Sequence, residues 1–161
     1  MSIKSLICTF LIFTCLGCSV YTFNPKGKST ISSMAVQLFE NSTGEYGLED
    51  RMTQQIIEAF IDEGSIKIVP EGSSEALLKG KLVGYDRQPF DPDETDQVST
   101  YKITMSFEIQ LINTADNTDI WNNRISQFGL YNLEEETEED GQQRAITKLV
   151  DDILNLTTKS W

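Results

Sequence analysis

The strongest pattern in the chain is a strict alternation of apolar and polar side chains between residues 101 and 111. Its apolar members are Tyr101, Ile103, Met105, Phe107, Ile109 and Leu111. Because successive side chains of a strand point to opposite faces of a sheet, the pattern predicts a strand with one buried and one hydrated face. After a short polar segment, residues 120–131 are predicted to return as an antiparallel strand.

Two other stretches carry apolar residues at helical spacing. Within residues 47–63 they recur every four positions, and Gly64 stands where a left-handed C-cap belongs. A second apolar stripe follows within residues 140–158, and Thr137 and Asp140 have the spacing of a capping box at its start. We therefore predict two amphipathic helices.

Three further segments are predicted to be strands. Residues 31–39 are apolar on both faces, which is typical of a central strand, and residues 65–69 form a short strand. Residues 75–87 alternate in polarity and contain Gly80 and Gly84. These two glycines argue against a helix and indicate a bulge or the close approach of a packed helix.

The predicted order of elements is β-α-β-β-β-β-α, with a polar, proline-interrupted loop at residues 88–96. Strand faces that are half apolar need a covering layer, and the two helices are the cover that the chain supplies. We expect an α+β fold, a two-layer sandwich with two helices packed on one face of a mixed four- to five-stranded sheet. The domain is expected to span residues 31–161.

Such a sandwich leaves one sheet face open, and we expect cations on it. Lys79 and Lys81 share one side of a strand, with Tyr85 predicted on the same side, and Lys102 lies on the polar side of the alternating strand. Arg124 belongs to the returning strand. Two interpretations stay open: cations that keep a solvated face soluble, or contacts to an anionic ligand.

The N-terminus has the features of a secretory signal peptide. Lys4 precedes an uncharged apolar run at residues 5–16. A membrane-spanning helix needs about 20 apolar residues, so this run is too short to serve as one. We expect residues 1–17 to be removed from the mature protein.

The end of that segment bears on anchoring. Residues 15–18 (CLGC) resemble a bacterial lipobox, which implies lipidation of Cys18 and a tether over residues 18–30. Cys8 and Cys15 leave with the signal peptide, so Cys18 remains alone and forms no intramolecular disulfide. Several acyl chains on one cysteine would anchor the protein stably in a membrane. An ordinary signal peptide that happens to contain a cysteine is the alternative.

Composition excludes several classes of function. The 161 residues carry a formal net charge of −12 and include no histidine. Without a basic stripe the chain offers no phosphate contacts to a nucleic acid. Without histidine it cannot build Ser-His-Asp or Cys-His nucleophile systems or imidazole metal sites. We expect no enzymatic activity, no metal and no cofactor.

Acidic clusters do not change that expectation. Asp91, Asp93 and Asp96 superficially resemble an EF-hand loop, but its sixth position is Asp96 instead of Gly and its twelfth is Lys102 instead of Glu. The acidic run at residues 134–140 precedes a predicted helix, whose N-terminus favours negative charge. We interpret that run as a solvated helix entry.

The order of these segments resembles the LptE family of lipopolysaccharide-assembly lipoproteins, and most closely its short Bacteroidetes-type members. The resemblance rests on the lipobox, residues 18–23 (CSVYTF), a strand ending in residues 39–42 (FENS), the first helix, and residues 78–85 (LKGKLVGY) before the proline loop. It implies a small α/β sandwich that is anchored in the outer membrane. It also implies a plug inside the LptD β-barrel that helps the barrel assemble and aids lipopolysaccharide delivery to the outer leaflet.

The resemblance carries further expectations. Ser19 after the lipidated cysteine implies sorting to the outer membrane, and the lack of an acidic cluster there favours the periplasmic face. Lipopolysaccharide carries phosphates and carboxylates, so its contacts would fall on the cations Lys79, Lys81, Lys102 and Arg124. The alternative function is a periplasmic lipoprotein that binds and activates an envelope enzyme of peptidoglycan synthesis.

Overall fold

A computed structural model describes residues 31–90 and 99–159 of the chain. The predicted signal peptide, Cys18, the tether and most of the proline loop lie outside the described residues. The described elements are, in chain order, β1 (Ser33–Val36), β2 (Glu40–Asn41), α1 (Leu48–Glu63), β3 (Lys67–Ile68), a 3₁₀ turn (Glu71–Ser73), β4 (Ala76–Phe90), β5 (Thr100–Asn113), β6 (Asp119–Asn132) and α2 (Glu138–Thr158).

These strands form one mixed sheet in the order β3-β1-β4-β5-β6, with β2 pairing alongside β4. β1 is parallel to both β3 and β4, whereas β4, β5 and β6 form a long antiparallel meander. β1 therefore has neighbours on both sides, as its doubly apolar sequence predicted. The predicted α+β fold with a mixed sheet is confirmed, and β2 is a strand that the sequence did not reveal.

The single strand predicted over residues 31–39 is wrong in extent, because the chain leaves the sheet between β1 and β2. The backbone N–H of Phe39 donates to the Thr53 hydroxyl at 2.9 Å instead of to a strand. The Phe39 ring fills the space above Gly80, where an added Cβ would lie 2.0 Å from the ring. Gly80 thus accommodates an aromatic ring from the connection between β1 and β2, not a packed helix.

The predicted bulge in β4 is confirmed, and it changes which side chains face the helices. The pairing of β4 with β5 shifts between Leu82 and Gly84. Before the shift, alternation puts Lys79 and Lys81 on the face away from the helices. After it, Tyr85 turns to the helix side, so the expectation that Tyr85 shares a face with the two lysines is wrong. β4 also continues to Phe90, where a loop was expected.

Both helices lie on one face of the sheet and pack against each other. α1 ends at Gly64, which has φ of 75° and donates its N–H to the Phe60 carbonyl. α2 begins with the predicted capping box of Thr137 and Asp140. Between the helices and the sheet lies a core that includes Met34, Phe39, Met52, Ile56, Phe60, Leu78, Leu82, Ile103, Met105, Phe107, Ile146 and Leu149.

Contact between α2 and β6 depends on two glycines. A Cβ on Gly129 would lie 1.9 Å from the Gly141 carbonyl oxygen, so the backbones of strand and helix touch at this crossing. Beside it, Arg144 donates to the Leu130 carbonyl and Lys148 Nζ donates to the Phe128 carbonyl at 2.7 Å. α2 therefore covers part of the free edge of β6 with cations, which discourages edge-to-edge pairing.

Candidate functional site: the open face of the sheet

The face of the sheet away from the helices, here named the open face, carries all four cations predicted for it. Lys79 pairs in register with Gln110, and Glu108 lies between Lys81 and Arg124 across three strands. Lys79, Lys81 and Arg124 surround a shallow depression of about 520 Å³. Lys102 does not line this depression, because it lies several residues farther along β5.

Two of the four cations are already neutralised. Glu40 lies 3.5 Å from Lys81, and Glu108 lies 3.5 Å from Arg124. Acid and base therefore alternate across β2, β4, β5 and β6, an arrangement that we name the charge row (Glu40, Lys81, Glu108, Arg124). Exposed ion pairs of this kind add at most about 1 kcal/mol of stability. Their main consequence is electrostatic, because the row has no net charge on a strongly acidic chain.

Next to the charge row is a group of amides. The Gln110 side chain donates to one Asp119 carboxylate oxygen at 2.5 Å, and Asn122 donates to the other at 3.5 Å. Within the described part of the chain, the side-chain oxygens of these two amides have no donor. Lys79, their neighbour, has no carboxylate partner among the same residues. This corner thus offers acceptor oxygens and an ammonium donor to a polar ligand.

At the far end of the open face, Lys102 is held by an aromatic ring. Its Nζ lies 4.6 Å from the centroid of the Phe128 ring, and Lys148 Nζ lies 4.0 Å from the same centroid. Lys148 was not predicted at this site from the sequence. Lys148 belongs to the covering helix and reaches past the edge of β6, a contact that depends on tertiary packing.

Sequence reasoning also missed a polar cluster on the helix side of the sheet. Beyond the bulge, the Arg87 guanidinium lies 3.8 Å from the Tyr101 ring centroid and 3.3 Å from the Glu138 carboxylate. Tyr85 donates to Glu138 and accepts from Gln142. These contacts hold the distal half of the β4–β5 hairpin against the start of α2.

Contacts in and near this polar cluster shift the pKa values of two side chains. Burial and the hydrogen bond to Glu138 raise the pKa of the Tyr85 hydroxyl, so Tyr85 stays protonated in the physiological range. The hydrogen bond from Arg144 lowers the pKa of the Glu136 carboxyl to about 2. Both groups keep one charge state near neutrality, which fits a structural role for them.

The described residues contain no group of three or more acidic or cysteine side chains arranged to hold a metal ion. Neither described helix combines the length and the apolar character needed to cross a bilayer. The class defined by this arrangement is a two-layer helix-on-sheet domain whose open face is polar and locally balanced in charge around the charge row.

A family model gives that class a name. The model for LptE, described as lipopolysaccharide-assembly, matches residues 31–157, which include every described strand and nearly all of α2. The chain belongs to the LptE family, and the resemblance seen in the sequence is confirmed. Lipopolysaccharide assembly is therefore the general process to which this protein is assigned.

Solved structures share the fold at low sequence identity, while no curated protein matches the chain. A protein from Xanthomonas campestris is 13% identical with a TM-score of 0.60, covering 84% of this chain and 87% of its own. PelC from Paraburkholderia phytofirmans, solved as a dodecamer, is 12% identical with a TM-score of 0.57, covering 81% and 89%. Lipoprotein GNA1162 from Neisseria meningitidis is 12% identical with a TM-score of 0.50, covering 77% and 99%. These similarities show the fold alone.

Proposed function

We propose that this protein is an outer-membrane lipoprotein that acts as the plug and assembly partner of an LptD-like β-barrel during lipopolysaccharide transport. The single observation that carries the proposal is the polar, exposed region of the open face around the charge row, opposite the face on which both helices pack. A plug must keep one polar surface toward a water-filled lumen while its other surface is packed. Membership in the LptE family supports this role, because it assigns the chain to lipopolysaccharide assembly.

Anchoring and location follow from the N-terminal sequence. Lipidation of Cys18 would hold the protein at the periplasmic face of the outer membrane, and Ser19 favours that membrane. A tether raises the effective concentration of the plug near a membrane-embedded barrel. The role requires no catalysis, which agrees with a chain that has no histidine.

The open face would make any direct contact to lipopolysaccharide, and its four cations would contribute unequally. Lys81 and Arg124 each pair with a carboxylate, so a ligand phosphate would have to compete for them. Lys79 and Lys102 have no carboxylate partner in the described part of the chain. We therefore assign the stronger ligand contacts to Lys79 and Lys102 and a supporting role to Lys81 and Arg124.

Reversing the charge of Lys79 and Lys81 tests this site. A Lys79→Glu and Lys81→Glu double variant places two carboxylates beside Glu40 and Glu108, so it should repel the phosphates of the glycolipid. We expect a severalfold decrease in newly delivered lipopolysaccharide at the cell surface, measured by surface labelling. Lys159→Glu, a charge reversal at the exposed C-cap of α2 and away from the open face, is the control and should leave delivery unchanged.

Normal delivery by the double variant would contradict the site assignment, although the plug role could persist. Thermal unfolding should accompany the labelling. The expected loss of free energy of unfolding is about 1 kcal/mol or less, because the one ion pair removed, Lys81 with Glu40, is exposed. A larger loss would mean that decreased delivery reports misfolding.

A further inference from the structure

The two ends of the open face differ in the chemistry that they offer. At the distal end, the ammonium groups of Lys102 and Lys148 both lie over the Phe128 ring, at 4.6 Å and 4.0 Å from its centroid. An aromatic ring attracts an ammonium group but leaves its positive charge in place. Neither lysine has a carboxylate partner within the described residues. The pair is therefore available to an anionic group.

Exposed apolar side chains gather at the same end. The Phe128 ring is 39% exposed, and Phe90 and Leu133 are 41% and 49% exposed. Phe90 pairs with Thr100 at the end of the hairpin, and the backbone N–H of Leu133 donates to the Ser99 carbonyl beside it. Lys148 Nζ also donates one hydrogen bond to the Phe128 carbonyl, which leaves its charge unpaired. Two ammonium groups without carboxylate partners next to exposed apolar surface suit the phosphorylated, acylated end of a lipid.

The opposite end is neutral and rich in amides. Gln110 and Asn122 both donate to Asp119, which leaves their carbonyl oxygens as acceptors. The Lys79 ammonium, in register with Gln110, offsets the charge of the Asp119 carboxylate, and the charge row beside them has no net charge. Closely spaced donors and acceptors without net charge match hydroxyl groups, each of which both donates and accepts. This end suits a saccharide better than a phosphate.

The distance between the two ends of the open face follows from the geometry of β5. Lys102 and Gln110 both lie on the open side of β5 and are eight residues apart. At about 3.4 Å per residue this is about 27 Å, the scale of an extended sugar-bearing lipid headgroup and not of one phosphate. The alternating sequence of β5 keeps both ends on the same face.

We propose that the open face binds a glycolipid in one orientation, with its anionic lipid end at Lys102, Lys148 and Phe128 and its saccharide end at Gln110 and Asn122. This inference rests on the proposed function and adds to it a direction along the sheet. It also gives Lys148, a residue of the covering helix, a role in ligand binding. In this orientation, different substitutions should weaken the binding of the lipid end and of the saccharide end.

The test uses the mature lipoprotein in detergent and two probes, diphosphorylated lipid A without further sugars and the delipidated core saccharide. One variant combines Lys102→Gln with Lys148→Gln, and the other combines Gln110→Ala with Asn122→Ala. Titration calorimetry should show that the lysine variant binds lipid A about tenfold more weakly and binds the saccharide as the parent does. The amide variant should show the reverse. Lys159→Gln, a charge removal at the exposed C-cap of α2 and away from the open face, should change neither affinity.

Three results would contradict the proposed orientation. The inference is overturned if the parent binds neither probe, if either variant weakens both probes equally, or if Lys159→Gln acts like the lysine variant. Co-purification of the barrel with each variant separates this result from the proposed function. If the barrel still co-purifies but each variant changes the affinities for lipid A and for the saccharide together, the orientation is rejected and the plug role is not. If the two variants lose affinity for different probes but no barrel co-purifies, the plug role is rejected and the orientation is retained.

Discussion

Gly129→Ala is expected to lower the free energy of unfolding by about 3 kcal/mol, at the upper end of overpacking costs. The new Cβ would lie 1.9 Å from the Gly141 carbonyl oxygen and 2.8 Å from its carbonyl carbon. Both atoms are backbone, so no side-chain rotation can relieve the clash, and α2 must move away from β6. Chemical denaturation of the purified protein, followed by circular dichroism, measures the loss.

Gly72→Ala is the matched control for that substitution. Gly72 lies in the 3₁₀ turn, and a Cβ there would meet nothing within 4 Å, so the same chemical change should alter stability by less than about 0.5 kcal/mol. Equal stabilities for Gly129→Ala and Gly72→Ala would contradict the close backbone contact between α2 and β6. A large loss confined to Gly129→Ala would support it.

The second large effect concerns the membrane anchor. Cys18→Ser is expected to abolish acylation and to shift the protein that is not bound to a barrel from the membrane fraction to the soluble periplasmic fraction. The physical reason is that each buried acyl CH₂ contributes about 0.8 kcal/mol, so loss of all chains removes the dominant membrane affinity. Fractionation with metabolic labelling by a fatty acid measures both location and acylation.

Cys15→Ser provides the control for the anchor, because Cys15 belongs to the segment expected to be removed. That variant should remain acylated and membrane-bound. An unmodified thiol at Cys18 in the parent would show that an ordinary signal peptide is the correct interpretation.

Local patterns predicted the elements of the fold well. The alternating residues 101–111 lie within β5, and the helical stripe at 47–63 corresponds to α1. Gly64 and the Thr137 capping box end and begin helices as expected. Each of these features depends on interactions over a few residues, which a sequence records directly.

Long-range contacts decided what the sequence could not predict. The break between β1 and β2 exists because Phe39 turns inward onto Gly80, 41 residues away in the chain. The bulge was anticipated from Gly84, but its effect on Tyr85 depends on the register with β5. Neither pairing leaves a local pattern in the residues themselves.

In the candidate site, too, local patterns predicted some features and long-range contacts decided the others. Strand periodicity put Lys79, Lys81, Lys102 and Arg124 on one face, and the structure agrees. It did not indicate that Glu40 and Glu108 neutralise two of them, since those contacts join four different strands. It also gave no hint of Lys148, which arrives from the other layer. The expected basic face is therefore a charge-balanced face with free cations at particular points.

Purification of the chain from its own outer membrane tests the central claim most directly. The tagged lipoprotein, extracted in mild detergent, is expected to carry a stoichiometric outer-membrane β-barrel identified by mass spectrometry as LptD-like. A photoreactive residue at Asn122 on the open face should crosslink to that barrel or to lipopolysaccharide. Recovery of a peptidoglycan synthase in its place, or of the chain alone with Asn122 uncrosslinked, would contradict the account.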